Sequence, residues 1–199
     1  MKPSLPIGAG LLLFCLCLLY GPRSLAQEEK LWTAGRYSFS DEMGGFTIRG
    51  ISGRGTEDDP IVLVQEFNAA SPVLLVIRTE STALRDPADD IGILFYLRVE
   101  AINGGGHPWV EFAFELQEQL NLPSDYGDGL SFYQPGHKVD SIKSDGFRTF
   151  KDDFEPYDRM IFTDGVTNPA QSTSFVFPIA DFTPKRMFYL VQDPRIPSS

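Results

Sequence analysis

Acidic side chains gather in one part of this sequence. Asp125, Asp128, Asp152, Asp153, Glu155 and Asp158 lie between Asn121 and Arg159 among Gly, Ser and Pro, and Asp89 and Asp90 mark a second polar stretch. Calcium takes six to eight hard oxygens and is often held by acidic loops, which makes Asp125, Asp128, Asp152, Asp153 and Asp158 the candidate ligands of a calcium site. The run Asp125-Tyr126-Gly127-Asp128-Gly129 lacks the alternating oxygen donors and closing Glu of an EF-hand loop. Asp and Gly also dominate ordinary turns for backbone reasons, so solvated turns are the competing account of the same residues.

Other chemistries find less to work with. The two histidines, His107 and His137, are 30 residues apart, each beside Pro or Gly, with none of the spacings that place two imidazoles on one metal. The cysteines are Cys15 and Cys17, and no G-x-S-x-G turn exposes a serine. Ser131 stands six residues before His137, in what reads as an ordinary strand position. Carboxylates are abundant enough for glycoside hydrolysis, but that reaction needs a pair at a set separation, and abundance does not supply one. The glycines of Asn103-Gly104-Gly105-Gly106 precede Pro108 and a strand, not a helix, and read as a turn instead of a phosphate cradle. No catalytic residue is assigned, and non-enzymatic binding is the leading expectation.

Binding by aromatic faces is a separate possibility. Trp109, Tyr126, Tyr133 and Tyr157 fall in or beside loops, where a ring next to polar groups can stack on a sugar or a peptide. Trp109 opens a strand whose inward face reads Val110, Phe112, Phe114. Strict alternation therefore turns the indole away from that face, either to the rim of a site or over the end of the core as a plug.

Charge restricts the partners. The formal net charge is −10, which repels phosphate backbones and anionic lipid, and no basic stripe with interleaved aromatics offers nucleic acid a foothold. The chain begins with Lys2, an apolar run from Ile7 to Tyr20, a break at Gly21-Pro22 and small residues at Ser24 and Ala26. That order is an export signal cleaved after Ala26. The apolar run is 14 residues, short of the about 20 that span a bilayer, so no membrane span is expected after cleavage. Cleavage also removes both cysteines and, with Lys2 and Arg23, takes the net charge to about −12, a soluble and disulfide-free product.

The rest of the chain, residues 27–199, is expected to be one domain. Its apolar residues alternate with period two and are punctuated by Gly, Pro, Asp and Asn, which predicts an all-β antiparallel sandwich, immunoglobulin-like or jelly-roll-like, of about 8–9 strands. Val73–Ile77 is apolar at every position and is expected to be central. Phe95, Leu97, Val99 and Ala101 share one face of the longest strand. Phe112, Leu116 and Leu120 are also four apart, but alternation across Glu111–Gln117 favours a strand over a helix. Residues 121–159 form a loop-rich excursion with short strands near Leu130–Tyr133 and Phe147–Phe150.

Asn103, Gly105 or Gly106, Trp109, Phe112 and Glu115-Leu116, then Asp128-Gly129-Leu130-Ser131-Phe132 and a closing Phe188-Tyr189-Leu190-Val191-Gln192, resemble a pattern in uncharacterised secreted bacterial β-sandwich proteins. The resemblance covers about Ile93 to Pro194. It implies an exported sandwich and carries no activity. The expectation is a binding or envelope-associated structural module in the periplasm or the medium, with a protein or glycan partner. A calcium-stabilised carbohydrate-active or hydrolytic domain is the alternative.

Overall fold

The computed structural model describes residues 30–79, 93–125, 127–132, 141–153, 157–183 and 185–197. Residues 1–26, expected to be an export signal, and Asp89, Asp90, Tyr126, Tyr133, His137 and Glu155 lie outside these described residues. Thirteen strands form two sheets, with no helix among the described residues. One sheet holds β1 (Trp32–Ala34), β2 (Tyr37–Ser40), β5 (Val73–Thr79), β7 (Glu111–Gln117), β10 (Phe147–Asp153), β11 (Arg159–Gly165) and β13 (Met187–Arg195), in the spatial order β1-β2-β5-β13-β7-β11-β10. The other holds β3 (Phe46–Ser52), β4 (Ile61–Phe67), β6 (Ile93–Asn103), β8 (Leu130–Ser131) and β12 (Ser172–Asp181), in the order β3-β4-β6-β12-β8, and β9 (Lys143–Ser144) pairs elsewhere on β12.

The all-β sandwich anticipated from alternation is present, with more strands than the 8–9 expected. β8 and β10 fall where short strands were expected within the loop-rich excursion, while β1 and β9, three and two residues long, are too short for alternation to show. β10 runs to Asp153, beyond the expected Phe147–Phe150, because as an edge strand it buries little besides Phe147 and continues in exposed polar residues. β12 runs through Pro178, where a strand would be expected to stop. On that side of β12, β9 reaches Phe175 and Val176 and β8 reaches Ala180 and Asp181. Pro178 thus falls in the gap between them, where a missing N–H is tolerated.

All neighbours are antiparallel except β4 and β6, which run parallel from Ile61↔Leu97 to Phe67↔Asn103. The chain leaves β4, crosses the sandwich to form β5 in the opposite sheet, and crosses back, so β6 returns in the direction of β4. The turn into β4 depends on Gly53, whose φ is +90° and whose missing Cβ would stand 2.0 Å from the Pro60 carbonyl oxygen.

Between the sheets lies one cluster to which both contribute. Its centre is aromatic. Phe112 packs on Phe175 at 4.6 Å between ring centroids and edge-on to Phe67 at 5.6 Å, while Phe114 meets Phe175 at 5.1 Å and Phe177 at 4.8 Å. β7 reads as a strand and not a helix because Phe112, Phe114 and Leu116 all face this cluster.

Trp109 joins the cluster. It is 0% exposed, with its ring edge-on to Phe67 at 5.4 Å and to Phe112 at 5.5 Å. Alternation fails here because β7 begins only at Glu111. Trp109 pairs with Thr167 through Trp109 N–H to Thr167 O at 2.9 Å and its reciprocal at 3.0 Å, while the Val110 N–H turns to Arg195 O at 2.8 Å. That change of partner brings Trp109 round to the inner side. Of the two fates expected for the indole, rim or plug, the plug is observed.

Truncation of Phe112, which lies where rings from both sheets meet, should cost about 3–5 kcal/mol. Phe150→Ala, at a partly buried edge position, should cost well under half as much. Urea midpoints for the two variants check this ordering, and equal shifts would mean that the ring seam does not dominate the core.

Candidate functional site

At one end of the sandwich, acids from three segments meet. Asp158, just before β11, is 2% exposed, and its carboxylate accepts a hydrogen bond from Ser131 Oγ at 2.6 Å. Its backbone is tied on both sides, Asp158 N–H to Ser124 O at 3.2 Å and Leu116 N–H to Asp158 O at 3.0 Å. Asp181, the last residue of β12, is 4% exposed and caps the turn that follows, accepting the N–H of Thr183 at 2.9 Å and of Lys185 at 3.2 Å. Asp128 lies between these groups. One of its carboxylate oxygens takes the Leu130 N–H at 2.9 Å, and its carbonyl takes the Thr183 hydroxyl.

The charge of this end is held out of water at a cost. Burial pushes the Asp158 carboxyl up to about 6, against the opposing pull of its bonds from Ser131 and the Phe132 N–H, and the Asp128 and Asp125 charges add to the rise. Burial likewise raises Asp181, opposed by the Lys185 and Thr183 N–H groups, with Glu118 and Asp128 adding to it. The Lys185 ammonium is 3.3 Å from Glu118, and Arg159, next to Asp158 in the chain, is paired with Glu115. With these two cations engaged by their own glutamates, the carboxylates of this end can hold a proton, an ammonium or guanidinium group, or the hydroxyls of a polar ligand.

Apolar side chains stand exposed on the same segments: Leu120, Leu122, Tyr157, Phe182 and Met187. Tyr157 pairs with Asp125 in an isolated bridge, placing an exposed ring next to an exposed carboxylate.

Of the five candidate calcium ligands, the structure groups Asp125, Asp128 and Asp158. Asp152 is an exposed residue of edge strand β10, and Asp153 closes the β10–β11 ladder opposite Arg159. Among the described residues no group of three or more His, Cys, Asp or Glu side chains is placed to hold a metal ion. Of the four candidate aromatics, Tyr157 is at this end and exposed, Trp109 is inside the core, and Tyr126 and Tyr133 lie outside the described residues. Asp181 and Glu118 were not anticipated. Asp181 had a signal, because it continues the inward series Phe175, Phe177, Ile179 with a carboxylate.

No protein-family model, curated protein or solved structure matches the chain. No helix among the described residues is long and apolar enough to cross a membrane.

Asp158 binds its proton more tightly folded than unfolded, so the stability it contributes is complete below about pH 4 and is lost as pH rises through about 6. Asp181 shifts in the same direction. The melting temperature should accordingly be higher at pH 5 than at pH 7.5, and Asp158→Asn should flatten most of that difference. An Asp158→Asn variant with the full pH dependence of the natural protein would remove Asp158 as its source.

Proposed function

We propose that the chain is exported and works in the periplasm or the medium as a non-enzymatic binding module. Its acidic end would receive a positively charged, partly apolar segment of a protein partner. The observation carrying this reading is that the carboxylates of Asp125, Asp128, Asp158 and Asp181 share one end of the sandwich with exposed Tyr157, Leu122 and Phe182. Unbalanced acids steer a basic partner to a surface and select it, and exposed apolar groups add burial once it docks. Export rests on the charged, apolar and small-residue order of residues 1–26.

A glycan is the second reading, favoured by the exposed Tyr157 ring beside Asp125, a pairing that suits a sugar with one apolar face. In its calcium-stabilised carbohydrate-active or hydrolytic form, this reading requires the acidic segments to bind the ion. About 1 mM calcium would then raise the melting temperature by at least about 5 °C over EDTA for a site with a Kd near 10 μM.

Two measurements test the first reading. N-terminal sequencing of the product secreted by a bacterial host should begin at Gln27, and a product retaining Met1 would count against export. Calorimetric titration with a short peptide of Lys, Arg and Trp should show binding that weakens at least tenfold in Asp125→Asn/Asp128→Asn and fades as salt is raised. Affinity unchanged by those substitutions would move the partner off this end.

A further inference from the structure

The core contains two glutamines that the fold leaves without partners. Gln65 and Gln192 are each 0% exposed, and among the described residues neither the amide nitrogen nor the carbonyl oxygen of either has a hydrogen-bond partner. Both occupy inward positions, Gln65 in the series Ile61, Leu63, Gln65, Phe67 of β4 and Gln192 in the series Phe188, Leu190, Gln192, Pro194 of β13. They come from opposite sheets.

Strand register sets them in rows that face each other across the core. In one sheet Gln192 lies in a row between Val73 of β5 and Phe114 of β7. In the other, Gln65 lies in a row between Ile48 of β3 and Ala101 of β6. The Gln192 row is pinned at both ends. Phe114 rests on Phe175, one rung to one side of Gln65's row. Val73 rests against Gly45, where a Cβ would come within 2.6 Å of Val73 Cγ1, and Gly45 precedes Phe46, which is one rung to the other side. The two rows therefore cross near their middles, where Gln192 faces Gln65 and the small Ala101.

Buried carboxamides in such a place are strongly unfavourable unless something hydrogen-bonds to them. Each offers two N–H donors and one carbonyl acceptor, so a group that completes both must donate and accept. A charged occupant would find no counter-ion in Val73, Phe114, Ile48 and Ala101, which flank the two glutamines. We infer that Gln65 and Gln192 form an internal binding site between the sheets for a small neutral hydroxylic molecule, whose O–H groups bridge the two carboxamides. Solvent water and a small polyol share that chemistry.

A double-mutant cycle with the near-isosteric methionine tests the site. With a shared occupant, Gln65→Met and Gln192→Met should each lower the melting temperature by about 2–4 °C, and the double variant should melt no lower than the worse single. Singles that raise the melting temperature, or losses that simply add, would overturn the inference, because unpartnered or independent carboxamides predict those results. A measurement on the unsubstituted protein does not depend on the variants folding. The side-chain NH₂ signals should show cross-peaks to long-lived water, or native mass spectrometry should show a bound polyol that the double variant lacks. The first result identifies solvent as the occupant and the second a polyol, and absence of both also overturns the site.

Discussion

The contact on which this fold most depends is the meeting of Phe112 and Phe114 with Phe175 and Phe177 between the sheets. Phe175 also touches Phe147 at 5.7 Å and Phe162 at 4.9 Å, so one residue of β12 is in contact with rings from β7, β10 and β11. The only cysteines are Cys15 and Cys17, and cohesion of the sheets therefore comes from burial. Aromatic pairs have orientation as well as area, so this seam also fixes register. A slip of one residue in β7 or β12 would turn the rings to solvent and bring Ala113 or Val176 inward, which makes the register steeply preferred.

With the middle fixed, the two ends of the sandwich are free to differ. They lie at opposite ends of β6, where Asp181 pairs with Ile93 at one and Ser172 with Ile102 at the other. The Asn103 end is closed by complementary hydrogen bonds. The buried Asn103 side chain donates to the His107 and Thr167 carbonyls and accepts the Gly105 N–H, its backbone joins the Gln171 and Ala170 peptides, and Trp109 lies beneath as a plug. The Asp158 end gathers several carboxylates, with Lys185 and Arg159 paired to Glu118 and Glu115, and exposes apolar side chains. One end is thus closed by hydrogen bonds and a buried indole, while the other keeps its acidic charge near the surface.

Much of this was legible in the sequence because period-two alternation reports directly which residues face a core. Phe95 to Ala101 and Phe112 to Leu116 fall on the inward face as their spacing requires. Trp109 broke the rule through a local change of hydrogen-bond partner, which no spacing reveals. β8 lies where a short strand was expected near Leu130, whereas the two-residue β9 was silent because two residues carry no period. At the acidic end, composition pointed to Asp125, Asp128 and Asp158, but the same composition pointed equally to Asp152 and Asp153, which the β10–β11 hairpin places on an edge. Asp181 was hidden among aromatics because an acid within a strand reads as an outward residue until its phase is counted.

Phase also explains which buried polar groups the fold can satisfy. Near strand ends the chain turns, and turning frees peptide N–H groups from the ladder. Asp181 takes two of them, Asp158 is served by Ser131 and the Phe132 N–H, and Asn103 takes one. Within the ladders most peptide groups are already paired, and an inward polar side chain looks chiefly to the facing sheet. Gln65 pairs across to Ile48 and Ala101, and Gln192 to Val73 and Phe114, so no neighbour in the ladder offers a side-chain hydrogen bond. Native stabilities are only about 5–15 kcal/mol, and two unanswered carboxamides would consume a large share of that margin. Their place inside paired strands, away from the turns that serve Asp158 and Asp181, distinguishes these two glutamines from the more conspicuous acids.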